Sequence, residues 1–171
     1  MAGHAAGPGP HWTLRRARDE DLPAVGEVTL AAYAPFTRGP DDPYVARLGD
    51  AGPRHREAEL WVAVDPAGRV LGSVTVCPPG SPWREVARDG EGEFRMLAVD
   101  PAARGSGVGR ALVRHAVDRA RELGAGAVVI SSLTAMTTAH RLYETLGFVR
   151  DPGRDWRPLP EVDLIAYRLE P

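Results

Sequence analysis

Arg104-Gly105-Ser106-Gly107-Val108-Gly109-Arg110 follows an apolar run ending Leu97-Ala98-Val99 and leads straight into the amphipathic stretch Ala111 to Leu123. The order is strand, glycine turn, helix. Three glycines at a helix start let backbone N–H groups approach a ligand without side-chain obstruction, and those groups, with the helix dipole, favour an anion. A phosphate-bearing ligand is the first expectation. Two better-known phosphate loops fail on chemistry. A Walker loop needs a lysine, and all 21 basic residues are arginine. A dinucleotide fingerprint starting at Gly105 needs glycine or alanine at position 110, where this chain has Arg110.

What remains, Arg-x-x-Gly-x-Gly, resembles the acyl-coenzyme A pyrophosphate loop of the GNAT superfamily of N-acetyltransferases. The neighbouring segments agree in order and spacing. Glu93-Phe94-Arg95-Met96-Leu97-Ala98-Val99-Asp100-Pro101 resembles the family's fourth strand. Leu142-Tyr143-Glu144-Thr145-Leu146-Gly147-Phe148 resembles the end of its fourth helix and the start of the next strand. Trp12 to Ala17 with Asp19 to Leu22 resembles the first strand and helix, so the likeness runs from residue 12 to the C-terminus. It implies an α/β (α+β) GNAT fold: a mixed central sheet of about six to seven strands with splayed fourth and fifth strands, and about four helices.

Composition sets outer bounds. With 171 residues and 43% hydrophobic content, one domain can bury most of the surface its unfolded chain exposes. That domain is expected over residues 12–171, after a disordered tail at residues 1–11 that holds almost nothing to bury. A net charge of −2 gives no general pull towards nucleic acid or an anionic membrane. No window approaches the ~20 apolar residues of a membrane span, and Met1 to Pro10 lacks the apolar core of a secretion signal, so a cytoplasmic protein is expected. Cys77 stands alone, which excludes an internal disulfide and a cysteine-based metal site; it reads as a buried strand residue. His4, His11 and His55 lack metal-ligand spacing, so no metal is expected.

Along the chain, Leu22, Val25, Val28, Ala32 and Tyr33 recur at helical spacing behind Asp19 or Asp21 as N-cap, and the helix ends before Pro35. A short helix over Tyr44 to Leu48 is ended by Gly49 to Pro53. Leu60 to Val64 and Val70 to Val76 flank a hairpin turn, and Pro78 to Trp83 is a loop. Strands are expected at Glu93 to Val99, Ala127 to Leu133, Phe148 to Arg150 and Val162 to Leu169, with Asp151 to Pro160 an extended loop. Met136 to Leu146 is a short helix stopped by Gly147. The central helix presents Val108, Ala111, Leu112, Ala116, Ala120 and Leu123 inward, and Arg114 and Asp118 outward at i,i+4. His115 borders that stripe as a packed residue, and His140 is expected at a solvated rim position.

The resemblance implies a mechanism. Pantetheine enters between the splayed strands and pairs with the backbone of Leu97, Ala98 and Val99, beside Ala139 and Tyr143. The pyrophosphate sits on N–H groups across Gly105, Ser106, Gly107, Val108, Gly109 and Arg110, with Arg104 and Arg110 adding charge-assisted contacts. A neutral amine attacks the thioester of acetyl-CoA directly, and Tyr143 protonates the leaving thiolate. Glu93, eleven residues before Arg104, matches a family glutamate that takes the amine proton, directly or through water; as a strand residue it also suits a surface site or a pair with Arg95. Met136 stands where many relatives carry asparagine, and methionine cannot make that amide's hydrogen bonds.

The acceptor is expected between Tyr33 to Leu48 and Asp151 to Pro160, where Asp41, Asp42, Asp155 and Glu161 attract a cationic amine and Tyr33, Tyr44 and Trp156 can stack on it. It is a primary amine of a small molecule or peptide, of unspecified class. A coenzyme A-binding sensor or interaction module with little catalysis is the alternative. Homodimers are common in the family, and no residue pattern here establishes one.

Overall fold

A computed structural model describes residues 11–170. The expected tail therefore falls, apart from His11, outside the described residues. Eight strands run in the order β1-β2-β3-β4-β5-β8-β6, with β7 pairing β8 off that path. They are β1 (Thr13–Arg16), β2 (Glu59–Val64), β3 (Val70–Cys77), β4 (Glu91–Val99), β5 (Ala127–Leu133), β6 (Val149–Arg150), β7 (Trp156–Leu159) and β8 (Val162–Leu169). Five α-helices accompany them: α1 (Leu22–Tyr33), α2 (Pro43–Gly49), α3 (Gly52–Glu57), α4 (Val108–Glu122) and α5 (Thr137–Thr145).

The sheet divides the core. On one face Val108, Leu112, Val113, Ala116, Val117 and Ala120 of α4 pack on Val74, Val76, Phe94, Val128 and Ile130, with Tyr143, Phe148 and Tyr167 completing the cluster. The stripe is rotated slightly from the sequence expectation: Val113 and Val117 are buried while Ala111 and Leu123 are half-buried. Asp118 pairs with Arg121 at 3.4 Å instead of with Arg114, so the expected i,i+4 pair is absent. On the other face Val25 and Val28 of α1 pack on Leu60, Val62, Val64, Val70 and Ala98. Asp21 does not cap α1 with its side chain. Its carboxylate accepts from Arg15 at 2.6 and 3.0 Å and from the Arg18 amide at 2.7 Å, which closes the turn before the helix.

Two elements depart from the sequence reading. The Gly49 to Pro53 break is brief, because α3 restarts the helix at Gly52 and buries Arg54 completely. That guanidinium donates to the carbonyls of Arg47, Leu48 and Asp50 at 3.2–3.3 Å and to Thr29 Oγ1 at 3.2 Å. The C-terminal carbonyls of α2, the negative end of its dipole, thus take the place of a carboxylate partner. α1 and α2 touch so closely that a Cβ on Gly26 would meet the Gly49 carbonyl at 2.2 Å. Second, the expected loop at Asp151 to Pro160 contains β7, a strand on which Pro158 is tolerated because it lies at the sheet's edge.

β4 and β5 are parallel and pair only at Glu91↔Ala127 and Gly92↔Val128, after which they part, as the resemblance implies. Glu91 sits at that closed end, where it accepts from Arg154 at 2.5 and 2.6 Å and from Arg168 at 2.6 Å. Arg154 beside it holds the Glu91 carboxyl down to about 2. A carboxyl lowered by folding stabilises the protein fully above its unfolded value and loses that contribution as pH falls towards the folded value. Glu91→Gln is accordingly expected to cost about 2 kcal/mol at neutral pH. The gap in melting temperature between the two proteins should narrow from pH 5 to pH 2; a gap constant over that range would refute the assignment.

Candidate active site

The glycine turn forms because Asp100 starts it. Its carboxylate accepts from the Ala102 amide at 2.9 Å and from Arg69 at 2.6 Å, which fixes the helical turn Pro101–Ala103. Gly105 (φ +79°) and Gly107 (φ +88°) then take left-handed conformations, between which the Ser106 amide, expected to face the ligand, instead donates to the Ala103 carbonyl at 3.3 Å. Among the described residues, the amides of Gly105, Gly107, Val108, Gly109 and Arg110 have no protein acceptor. The Ser106 hydroxyl turns inward to the Ala103 carbonyl at 2.5 Å, and Arg110 Nη2 donates to Thr145 Oγ1 at 3.0 Å. Arg104 is exposed. Five open N–H groups at the start of a fifteen-residue helix fit a diphosphate.

The parted strands enclose a cavity of about 420 Å³. Phe94, Arg95, Met96 and Leu97 of β4 form one wall, Ile130 to Leu133 of β5 another, and Met136, Ala139 and Tyr143 a third. Of the strand residues expected to meet pantetheine, Leu97 lines the cavity, whereas Ala98 packs under α1 and Val99 lies against Gly109. Beyond Gly92 the β5-facing edge of β4 has no strand partner and is open to backbone pairing, while on its other edge Ala98 and Val99 stand opposite Ser73 and Gly72 of β3. β4 also carries a bulge that the sequence did not announce. Ser73 pairs with Ala98 but Thr75 with Arg95, and Met96 takes up the extra residue at φ +50°.

Tyr143 reaches the cavity from α5, 6% exposed, with ring centroids of Phe148, Tyr167 and Phe94 at 5.7, 6.0 and 6.1 Å. Its hydroxyl has no partner among the described residues, and burial pushes the phenol up, so it is protonated at neutral pH. One turn before it, His140 is buried, not solvated as expected, because α5 turns both residues towards the sheet. Its Nε2 lies 3.1 Å from Ser132 Oγ, and its ring 5.4 Å from that of Tyr167. Ser132 also approaches Met136 Sδ at 3.7 Å, so a cavity-lining hydroxyl that spacing did not single out stands near the missing asparagine. His115 stacks on Trp61 at 4.0 Å, a packed histidine. Cys77 is buried and burial pushes its thiol up, away from nucleophilic chemistry.

Glu93 is not brought to the cavity. It is 1% exposed and does not line the cavity, and its oxygens accept from the amides of Glu85, Val86 and Ala87 at 2.9–3.3 Å. Burial pushes its carboxyl up against the opposing pull of those three amides. The Arg95 partner is Glu85, not Glu93.

Of the expected acceptor residues, Tyr33, Asp42, Tyr44 and Glu161 line the cavity. Asp41 and Trp156 lie outside the lining, and Asp155 is occupied by Arg150 at 2.7 Å and by the Ala166 amide at 2.8 Å. Arg38, Arg47, Glu85 and Arg95 line it unannounced, since only the tertiary fold gathers them.

A sheet parted around a cavity, with an anion-ready turn at a helix start and a buried phenol in the wall, is the arrangement that the glycine-turn resemblance implies. Residues 22–148 match the family model described as the Acetyltransferase (GNAT) family, and the chain belongs to that family. It is 39% identical over 97 residues to the mycothiol acetyltransferase of Thermomonospora curvata, a match covering 57% of this chain and 32% of that protein. The chain thus spans about a third of the length of such mycothiol acetyltransferases. It is 32% identical over 130 residues to an uncharacterised N-acetyltransferase of Schizosaccharomyces pombe, covering 76% of this chain and 73% of that one. A GNAT family acetyltransferase from Brucella melitensis, solved in complex with acetyl-CoA, shares the fold at TM-score 0.61 and 23% identity, over 94% of this chain and 88% of that one.

Proposed function

We propose that this protein is an N-acetyltransferase that moves an acetyl group from acetyl-CoA to a primary amine by direct attack. The observation that carries the reading is the set of unpaired amides of Gly105, Gly107, Val108, Gly109 and Arg110 at the start of α4, on the sheet whose β4 and β5 part around the cavity. Gly105, Gly107, Val108, Gly109 and Arg110 hold the pyrophosphate through backbone, with Arg104 at the rim and Ser106 shaping the turn. Leu97, Ala98 and Val99 offer backbone, and Ala139 a small side chain, to pantetheine. The amine nitrogen bonds to the thioester carbon, the carbon–sulfur bond breaks, and the Tyr143 phenol supplies the proton that the departing thiolate takes up. The same dry setting that raises the phenol also leaves the departing thiolate poorly solvated and more basic, so the proton can pass from one to the other. No metal takes part in this scheme. No helix of the described residues is long and apolar enough to cross a membrane. The acceptor of the mycothiol acetyltransferases is not carried over; their name supports only acetyl transfer.

Release of free thiol from acetyl-CoA against a panel of amines and peptides tests this reading. Turnover with at least one amine is expected. No turnover, with coenzyme A still raising the melting temperature, would make the chain a binding module instead.

The amine's proton leaves to water, and Glu93 anchors the segment between β3 and β4 through its three amide contacts. Glu93→Gln should keep kcat within about threefold of the parent, well short of the 100-fold or more that a lost general base costs, and change the melting temperature little, because the amide oxygen can still accept from the three N–H groups that converge on Oε2. A kcat loss above 100-fold in a folded variant would return the base role to this carboxylate.

A further inference from the structure

The acceptor half of the cavity lies between α2 and the β7–β8 turn, and most of its charges are used within the protein. Asp42 accepts from the amides of Arg38 and Tyr44 at 3.0 Å and stands 3.8 Å from Arg38 Nε. Glu85 pairs with Arg95, whose Nη1 also donates to the Trp83 carbonyl at 3.2 Å. Two lining charges have no opposite partner among the described residues: Arg47, in the last turn of α2, and Glu161, at φ +70° in the β7–β8 turn.

Arg47 is held on a platform. Its guanidinium carbon lies 4.7 Å from the centroid of Trp83, an indole only 4% exposed whose Nε1 donates to Glu57 at 2.8 Å. A guanidinium held over a ring can keep donors free in the fork geometry that matches a carboxylate. Glu161, on the opposite wall, suits an ammonium. A purely cationic acceptor would leave Arg47 unmatched, and a purely anionic one would leave Glu161 unmatched. Phe36, Leu159, Val162 and Leu164 make much of the remaining lining of this half apolar.

We propose that the acceptor is a zwitterion, a free amino acid with an apolar side chain, whose carboxylate is read by Arg47 and whose amine is drawn in by Glu161. This rests on the acetyl-transfer reading above and deepens it. Arg47 and Glu161 set specificity, and the chemistry stays with the thioester and Tyr143. The amine arrives as an ammonium and must lose its proton to water before attack, so the rate with such an acceptor rises with pH up to the amine's own pKa.

The test pairs each amino acid with its decarboxylated counterpart: L-leucine with 3-methylbutylamine, and L-phenylalanine with phenethylamine, following thiol release. The amino acids are expected to have a kcat/KM about 100-fold higher, the scale of the two charge-assisted hydrogen bonds of a fork. Arg47→Gln should remove about 30-fold or more of that advantage through KM, leaving the decarboxylated amines within about twofold and the KM for acetyl-CoA unchanged. Glu161→Gln should raise the KM of both acceptors. Decarboxylated amines that react as fast as the amino acids, or an Arg47→Gln variant that slows both alike, would overturn the zwitterion while leaving acetyl transfer standing. Failure of every acceptor with coenzyme A still bound would overturn the acetyl-transfer reading, and this inference with it.

Discussion

Gly107→Val should abolish coenzyme A binding in a protein that still folds. Gly107 precedes α4 at φ +88°, a conformation that a β-branched residue avoids at a cost of about 1–3 kcal/mol. A Cβ there would meet nothing within 4 Å, so the effect comes through backbone and not through collision. The turn relieves the strain by rotating, which swings the Gly107 and Val108 amides away from the anion. Losing two hydrogen bonds to a charged group costs about 3–5 kcal/mol, or roughly 150- to 4000-fold in dissociation constant. Gly68→Val is the control. Gly68 has φ +84°, also with open space at the Cβ, in the turn between β2 and β3. It should lower the melting temperature by a similar amount and leave calorimetric affinity for coenzyme A unchanged. Equal affinities for all three proteins would remove the turn from the site.

Tyr143→Phe should lower kcat by about 100-fold or more, the usual scale of a lost general acid, with acetyl-CoA affinity changed by less than about threefold. The ring's packing on Phe94, Phe148 and Tyr167 survives the change, since only the hydroxyl is removed. Phenylalanine therefore separates the proton from the packing, which alanine would not. The pH profile adds a second reading. Burial raises the phenol, so the parent should show no loss of rate through pH 9 that traces to this residue. A substituted enzyme that turns over at the parental rate would leave Tyr143 as a packing residue.

The parts of the chain whose physics is local could be read without coordinates. The glycine turn, α4 and β5 were placed within a residue or two because hydrophobic period, glycine and strand composition agree there. Other features were hidden for identifiable reasons. α3 is six residues long, and Gly-Pro-Arg-His-Arg-Glu looks like surface until Arg54 finds the carbonyls of α2. β7 was obscured by prolines that only an edge strand can hold. Glu93 sat at a family position in the sequence, yet its direction depended on a neighbouring segment offering three amides. His140 was misjudged because the stripe of a nine-residue helix is too short to assign by period alone. The acceptor wall was readable only in part: Tyr33, Asp42, Tyr44 and Glu161 stood out in or next to the expected segments, whereas Arg47, Glu85 and Arg95 are gathered from α2, the segment between β3 and β4, and β4.

The grip of Arg154 and Arg168 on Glu91 has a mechanical consequence. β4 and β5 behave as the legs of a pair of compasses joined at Glu91 and Gly92, and those arginines come from the segment before β7 and from β8. A small rotation at that pivot would be magnified along the leg from Gly92 to Val99, so a change at Glu91 would alter the width of a cavity that its carboxylate does not line.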